Sequence, residues 1–174
     1  PFTEVYIHGY VLAADGSKMS KSVGNVVDPA GIRLKYGTDA LRLGLIDGRA
    51  AAINRPYDES KTIAGRNFAN KLWNIARFVE DKLAGKSYDK PKPQTAADHW
   101  ILTKLQHLTE AMSLDLDKYR FSEAYDRMYH VVWDDLADWY IEASKNQLNE
   151  TVLVESLKTV LKLAHPFAPF VSET

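Results

Sequence analysis

From residue 58 onward, apolar side chains return at steps of three and four. No other feature of this 174-residue chain restricts its possible folds as strongly. Ile63, Leu72, Ala76, Val79 and Leu83 form one stripe. Ile101, Leu105, Leu108, Met112, Leu116 and Tyr119 form a second, and Met128, Val132, Leu136, Trp139 and Ala143 a third. Such spacing marks one face of an amphipathic helix, which another apolar face must cover. A fourth helix is expected from about Val152 to Ala164, broken by "HPFAPF". End signals fit this division. Asp58 is a candidate N-cap with Gly85 as its C′ partner, Thr95 and Asp98 resemble a capping box, and Ser122 is placed to cap the third helix. The Pro/Lys/Ser-rich stretch "GKSYDKPKPQ" separates the first two. Several such helices joined by short connections predict an antiparallel bundle.

The first 57 residues have a different character. "EVYIHGYVLAADG" is rich in β-branched and aromatic residues and ends at a glycine, which predicts a strand with room for a short second one. Asp28 before Pro29 predicts an N-cap and first helical residue, with the helix stopping at Gly37. Thr38 is then expected to cap "DALRLGLI", which ends at Gly48. The fold class expected is mainly α: an antiparallel helix bundle over 58–174, preceded over 1–57 by a small α/β piece. The chain starts without Met and reads as a segment of a longer protein.

Composition excludes several classes of function. At 45% hydrophobic and 26% charged, the chain can bury a core, and with no cysteine it has neither a disulfide framework nor thiolate-bound zinc. That fits a reducing cytoplasm. No apolar run reaches the roughly 20 residues of a membrane span. Basic residues are in mild excess before residue 90 and acidic ones after it, a bias that suits a polyanion partner or merely solvated surfaces.

Between these parts lies "DGSKMSKSVGNVVDP", residues 15–29, with Lys18 and Lys21 three residues apart between Gly16 and Gly24. Two mobile ammonium groups on such a loop can fold over a polyphosphate and stabilise charge as it builds on a departing phosphate. Ser20 and Ser22 add hydroxyl donors. Mutually repelling lysines between glycines leave little to hold the loop without its anion, so a mobile loop is expected. A solvated basic turn is the plainer reading of the spacing alone.

"KMSKS", Lys18 to Ser22, matches the signature loop of class I aminoacyl-tRNA synthetases letter for letter. "VYIHGYVLAADGSKMSKSVGNVVDP" and "YGTDALRL" resemble the segment joining the catalytic and anticodon-binding domains in the valine, isoleucine and leucine branch. "RNFANKLWNIARFV", "DWYIEASK" and "HPFAPFVSE" are most similar to its valine-specific members. The resemblance implies activation of an amino acid by ATP and its transfer to tRNA, with residues 1–57 as the end of a Rossmann-type catalytic domain and residues 58–174 as an anticodon-binding bundle. Lys18, Met19, Ser20, Lys21 and Ser22 would bind ATP, with Lys18 and Lys21 catalytic, Lys21 the larger contributor and Met19 toward the adenine. Mg²⁺ would share the phosphate charge, with no metal site of the chain's own. Isoleucine or leucine specificity stays open, as does a helical RNA-binding module without catalysis. A monomer is expected. The HIGH signature is absent, His8-Gly9 does not replace it, and these residues alone are not expected to activate valine. Ala50–Ala52 stand where relatives tend to carry an acidic residue, which leaves that corner without a polar role.

On the helix after Asp58, Arg66, Asn70, Asn74 and Arg77 recur at steps of four, four and three, with Asn67 and Lys71 alongside. These types can contact phosphates and the edges of unstacked bases. The resemblance makes this face the expected tRNA contact, and an ordinary solvated face is the other reading. Trp73, Trp100, Trp133 and Trp139 are expected to be core residues rather than stacking platforms. His99, His107, His130 and His165 show no metal-ligand spacing, and His165 before Pro166 reads as a helix end.

Overall fold

Asp28 starts the first helix as its position predicts: its carboxylate accepts from the Ala30 and Gly31 N–H groups, with Pro29 at the first helical position. The computed structural model describes residues 1–83, 90–145 and 147–174. Strand β1 (Val11–Leu12) precedes helices α1 (Pro29–Tyr36) and α2 (Thr38–Ile46), and β2 (Arg55–Pro56) follows. Five further α-helices come after: α3 (Glu59–Leu83), α4 (Ala96–Asp117), α5 (Phe121–His130), α6 (Ile141–Ser144) and α7 (Glu150–Ala164). A π-helical stretch (Val131–Tyr140) joins α5 to α6, and α8 (Pro169–Glu173) closes the described chain.

The expected N-terminal strand is mostly absent. β1 spans two residues and pairs in parallel with β2, and a lone bridge joins His8 to Ala51. A strand needs neighbours for its backbone groups, and among the described residues β2 is the only strand beside it. Val5, Ile7 and Tyr10 consequently face solvent. Two caps are also corrected. Thr38 lies inside α2, whose cap position is Gly37 at φ 93, a conformation glycine adopts without strain. Ser122 lies inside α5, and its hydroxyl accepts from the Gly48 N–H instead. Asp58 does cap α3, accepting from Ser60, while Gly85 lies outside the described residues.

α2 and α3 approach until backbone touches backbone. A Cβ at Gly44 would lie 2.7 Å from the Thr62 nitrogen, and one at Gly65 would lie 2.9 Å from the Ala40 carbonyl oxygen. This contact sets the phase of α3. Its buried residues are Thr62, Gly65, Phe68, Leu72, Ile75 and Val79, so the stripe is displaced from the one expected and Ile63 and Ala76 are only half-buried. A threonine and a glycine carry no apolar signal, which hid the start of the true face. On its other side α2 grips the turn after α7. Arg42 donates to the carbonyls of Phe167 and Pro166, and the Asp39 carboxylate accepts from the Val171 N–H at 2.7 Å.

The core behind α2 joins α3, α4, α5 and α7 around Leu43, Phe68, Leu72, Met112, Met128 and Leu153. The second and third stripes hold in part. On α4, Asp115 rather than Leu116 is buried, bound by Arg120 at 2.5 Å and Arg127 at 2.7 Å, and Tyr119 lies exposed beyond the helix end. In the π-helical stretch each hydrogen bond reaches one residue further than in an α-helix, so the register slips. Tyr140, Ile141 and Ser144 turn inward where Trp139 and Ala143 were expected. None of the four tryptophans is a fully buried core residue: Trp73 and Trp139 are exposed, and Trp100 and Trp133 half-buried.

One polar knot lies in the core. Asp98, 2% exposed, closes the capping box with Thr95, and it also accepts from the Tyr140 hydroxyl and the Asn149 amide. Burial acts to raise this carboxyl, but hydrogen bonds from Gln94, Tyr140, Asn149 and Thr95 overcome it and hold it below its ordinary value. A depressed value contributes stability that is present above the unfolded-state pKa, about 3.9, and is lost as pH falls through the folded one. Asp98→Asn should therefore be less stable at pH 7 by about 1–3 kcal/mol, with the gap closing on acidification. Urea titrations at several pH values between the two limits measure it. Gly44→Ala should cost about 1–3 kcal/mol through overpacking, read as a lower urea midpoint at unchanged slope.

Candidate functional site: a lysine loop and a polar helix face

The loop between β1 and α1 is more tightly organised than expected. Asp15 accepts from the Ser17 N–H and hydroxyl, and Gly16 at φ 80 turns the chain there. Next, Ser20 C=O accepts from the Val23 and Gly24 N–H groups, closing the turn that carries Lys21 and Ser22. Gly24 at φ 76 then returns the chain so that Asn25 lies back across it. Asn25 Oδ1 accepts from the Ser20 N–H at 2.7 Å, and its Nδ2 donates to Ser17 Oγ at 2.9 Å and the Lys18 carbonyl at 3.3 Å. The expectation that little holds this loop is thereby corrected.

The two lysines are placed differently. Lys18 Nζ lies 5.5 Å from the centre of the Tyr10 ring, a cation–π contact. Lys21 is exposed and has no ion-pair partner among the described residues. Met19 and Ser20 are half-buried, and the Ser20 and Ser22 hydroxyls bond each other at 2.8 Å. The site thus offers two ammonium groups beside a hydroxyl pair, on a loop braced from behind. That arrangement can receive a polyphosphate.

The polar face of α3 is exposed at Arg66, Asn67, Asn70, Asn74 and Arg77. Lys71 differs from them. It is half-buried, 2.7 Å from Asp138, and sits 4.9 Å from the Trp133 ring centre. Arg66 lies over the Tyr36 ring at 5.7 Å, and the Tyr36 hydroxyl donates to Glu59 at 2.6 Å. Lys35 pairs with the same carboxylate at 3.0 Å. The end of α1 is thus tied to the start of α3. Arg66, Asn70 and Trp73 line a groove of about 390 Å³ with the α1–α2 hinge and α8. Lys18 and Lys21 do not line it, so the two sites occupy separate parts of the molecule.

Sequence reasoning missed Tyr10 and Asn25 as partners of the lysine loop. A polar residue directly after a turn glycine was the available signal for Asn25. It also missed Arg49, whose guanidinium donates to the Arg55 and Pro56 carbonyls. Burial and then the neighbouring Arg55 charge lower its pKa. In the alanine run, Ala52 has φ 58, a left-handed conformation that costs a non-glycine residue about 1–2 kcal/mol. Among the described residues, no three His, Asp or Glu side chains group as metal ligands do. His130 instead bonds Asp134, which raises its pKa despite partial burial.

Comparison with known proteins matches both parts. Residues 1–54 fit the family of tRNA synthetases class I (I, L, M and V), and residues 98–174 fit the anticodon-binding domain of tRNA ligase. Among curated relatives, the valine–tRNA ligase of Geobacillus kaustophilus is 41% identical over 186 residues, covering 99% of this chain and 21% of that protein. The valine–tRNA ligase of Pseudothermotoga lettingae is 44% identical over 183 residues, with the same coverage. The chain therefore spans about a fifth of the length of these relatives. Among solved structures, the ternary complex of Agrobacterium radiobacter K84 agnB2 LeuRS-tRNA-LeuAMS superposes with a TM-score of 0.86 at 27% identity, over 99% of this chain and 22% of that one. Mycobacterium tuberculosis methionyl-tRNA synthetase bound by methionyl-adenylate shares the fold, with a TM-score of 0.76 at 22% identity over 95% of this chain and 36% of that one.

Proposed function

We propose that this chain is a class I aminoacyl-tRNA synthetase segment, the part of a valine–tRNA ligase that carries the ATP-phosphate loop and the tRNA-binding bundle. Residues 1–57 end the catalytic domain and residues 58–174 form the anticodon-binding part. The observation that carries this reading is the KMSKS loop itself, with Lys21 exposed and without an ion-pair partner among the described residues. Identity of 41–44% with valine–tRNA ligases favours valine over isoleucine or leucine. The exposed apolar residues Val5, Ile7, Tyr10 and Leu34 favour packing of this end against more catalytic domain over a free-standing RNA-binding module.

In the proposed reaction a valine carboxylate oxygen attacks the α-phosphorus of ATP. The bond between the α- and β-phosphates breaks, and pyrophosphate leaves as valyl-adenylate forms. Lys18 and Lys21 lie against the triphosphate and stabilise the charge that grows on the leaving group, Lys21 more strongly because among the described residues no ring or carboxylate holds it. Met19 lies toward the adenine, and Ser20 and Ser22 add hydroxyl donors. Mg²⁺ arrives as the counter-ion of ATP, part of the substrate. A terminal ribose hydroxyl of tRNA(Val) then attacks the valyl carbonyl carbon, the bond from that carbon to the phosphate oxygen breaks, and AMP leaves as the ester forms. The α3 face binds this tRNA through Arg66, Asn67, Asn70, Asn74 and Arg77. Lys71, committed to Asp138, takes the smallest part. We place the protein in the cytoplasm as a monomer. No described helix is long and apolar enough to cross a membrane.

In the full-length protein, Lys21→Ala should lower kcat for valine-dependent ATP–pyrophosphate exchange by about 100-fold or more, and Lys18→Ala by less. Replacing Arg66, Asn70 and Asn74 together by Ala should weaken tRNA(Val) binding on filters by at least about tenfold. Full exchange by Lys21→Ala, or unchanged tRNA affinity in the triple variant, contradicts the assignment.

A further inference from the structure

We infer that Asn25 is a positioning residue for the two loop lysines, a role that rests on the proposed reading of the loop as the clamp on ATP. Its side-chain amide is used at both ends, accepting from the Ser20 N–H and donating to Ser17 Oγ and the Lys18 carbonyl. Ser20 N–H and Lys18 C=O flank Met19. The backbone from Lys18 to Ser20 therefore cannot rotate without breaking a bond to Asn25. Ser20 is also where the next turn begins, because its carbonyl accepts from Val23 and Gly24. One side chain thus fixes the direction in which Lys18 leaves the backbone and the start of the turn that carries Lys21.

The neighbouring polar side chains cannot substitute for it. Asp15 is bonded to Ser17 upstream, and Asp28 is bonded to Ala30 and Gly31 at the start of α1. Carboxylates there would also neutralise the lysines, whereas a neutral amide braces the loop and leaves both positive charges for the phosphate. Gly24, at φ 76, supplies the reversal that brings Asn25 back over the loop. Lysines held in register before ATP binds lose less freedom when charge develops on pyrophosphate, so the benefit falls on the chemical step rather than on valine binding.

The test uses the full-length protein with Asn25→Ala, Asn25→Asp, Lys21→Ala and the double variant Asn25→Ala/Lys21→Ala. Asn25→Ala should lower kcat for valine-dependent ATP–pyrophosphate exchange at least about tenfold. The valine KM should stay within about twofold and the unfolding midpoint within about 1 °C, since the loop lies outside the core. Asn25→Asp keeps the acceptor but sets a carboxylate oxygen against the Lys18 carbonyl and a negative charge beside the lysines, so it should be at least as slow as Asn25→Ala. Because Asn25 acts through the two lysines, its effect should be smaller in the Lys21→Ala background than in the wild type, the remainder passing through Lys18. Wild-type kcat in Asn25→Ala, full multiplication of the two effects, or a parallel loss of thermal stability overturns the inference. If the unmodified protein exchanges with none of valine, isoleucine or leucine, the proposed function fails instead. Amide hydrogen exchange over residues 18–24 then judges the brace directly: faster exchange in Asn25→Ala supports it, and unchanged exchange overturns it.

Discussion

The contact of α2 with α3 is the constraint on which the rest of the structure depends. Gly44 meets Thr62 and Gly65 meets Ala40 with no room for a methyl group between them. Two helices this close behave as one body, because sliding either one drives backbone into backbone. α2 lies just beyond the lysine loop, separated from it by α1 and the Gly37 turn, whereas α3 carries the polar face. Asp39 and Arg42, three residues apart on α2, also hold the turn at residues 166–171 by its backbone. One short helix thus ties the α/β end to both margins of the bundle.

Charge is distributed so that some cations are committed and others stay available. Arg120 and Arg127 neutralise the buried Asp115, Lys61 pairs with Asp47, and Lys71 with Asp138. Those contacts serve packing and fix neighbouring elements. Lys21 on the loop and Arg77 on α3 remain exposed to solvent, and Arg66 leans on an aromatic ring that leaves its charge intact. A near-neutral chain can in this way present two local cationic regions without a strongly basic total.

Much of the fold is legible in the residues because capping and periodicity are local. Asp28–Pro29, Thr95–Asp98 and the helix expected from about Val152 to Ala164 each carry their own local signal, and each appears as expected. What could not be read depends on distant partners. The α3 face is set by glycine contacts with α2, Ser122 is drawn away from capping by Gly48, and the π-helical stretch rotates Trp139 outward with no marker in sequence. Among the described residues, the strand expected at the start finds only β2 beside it and stays two residues long. Of the candidate site, the lysines were visible from their loop, but the Asn25 brace required seeing where the Gly24 turn sends the chain.

The central claim is that this loop closes on the triphosphate of ATP, and the most direct measurement is a structure of the full-length protein with ATP and Mg²⁺. The account predicts the Lys21 ammonium within about 4 Å of a β- or γ-phosphate oxygen, Lys18 beside it, and the Asn25 bonds retained. A triphosphate bound elsewhere, with Lys21 still in solvent, would contradict it.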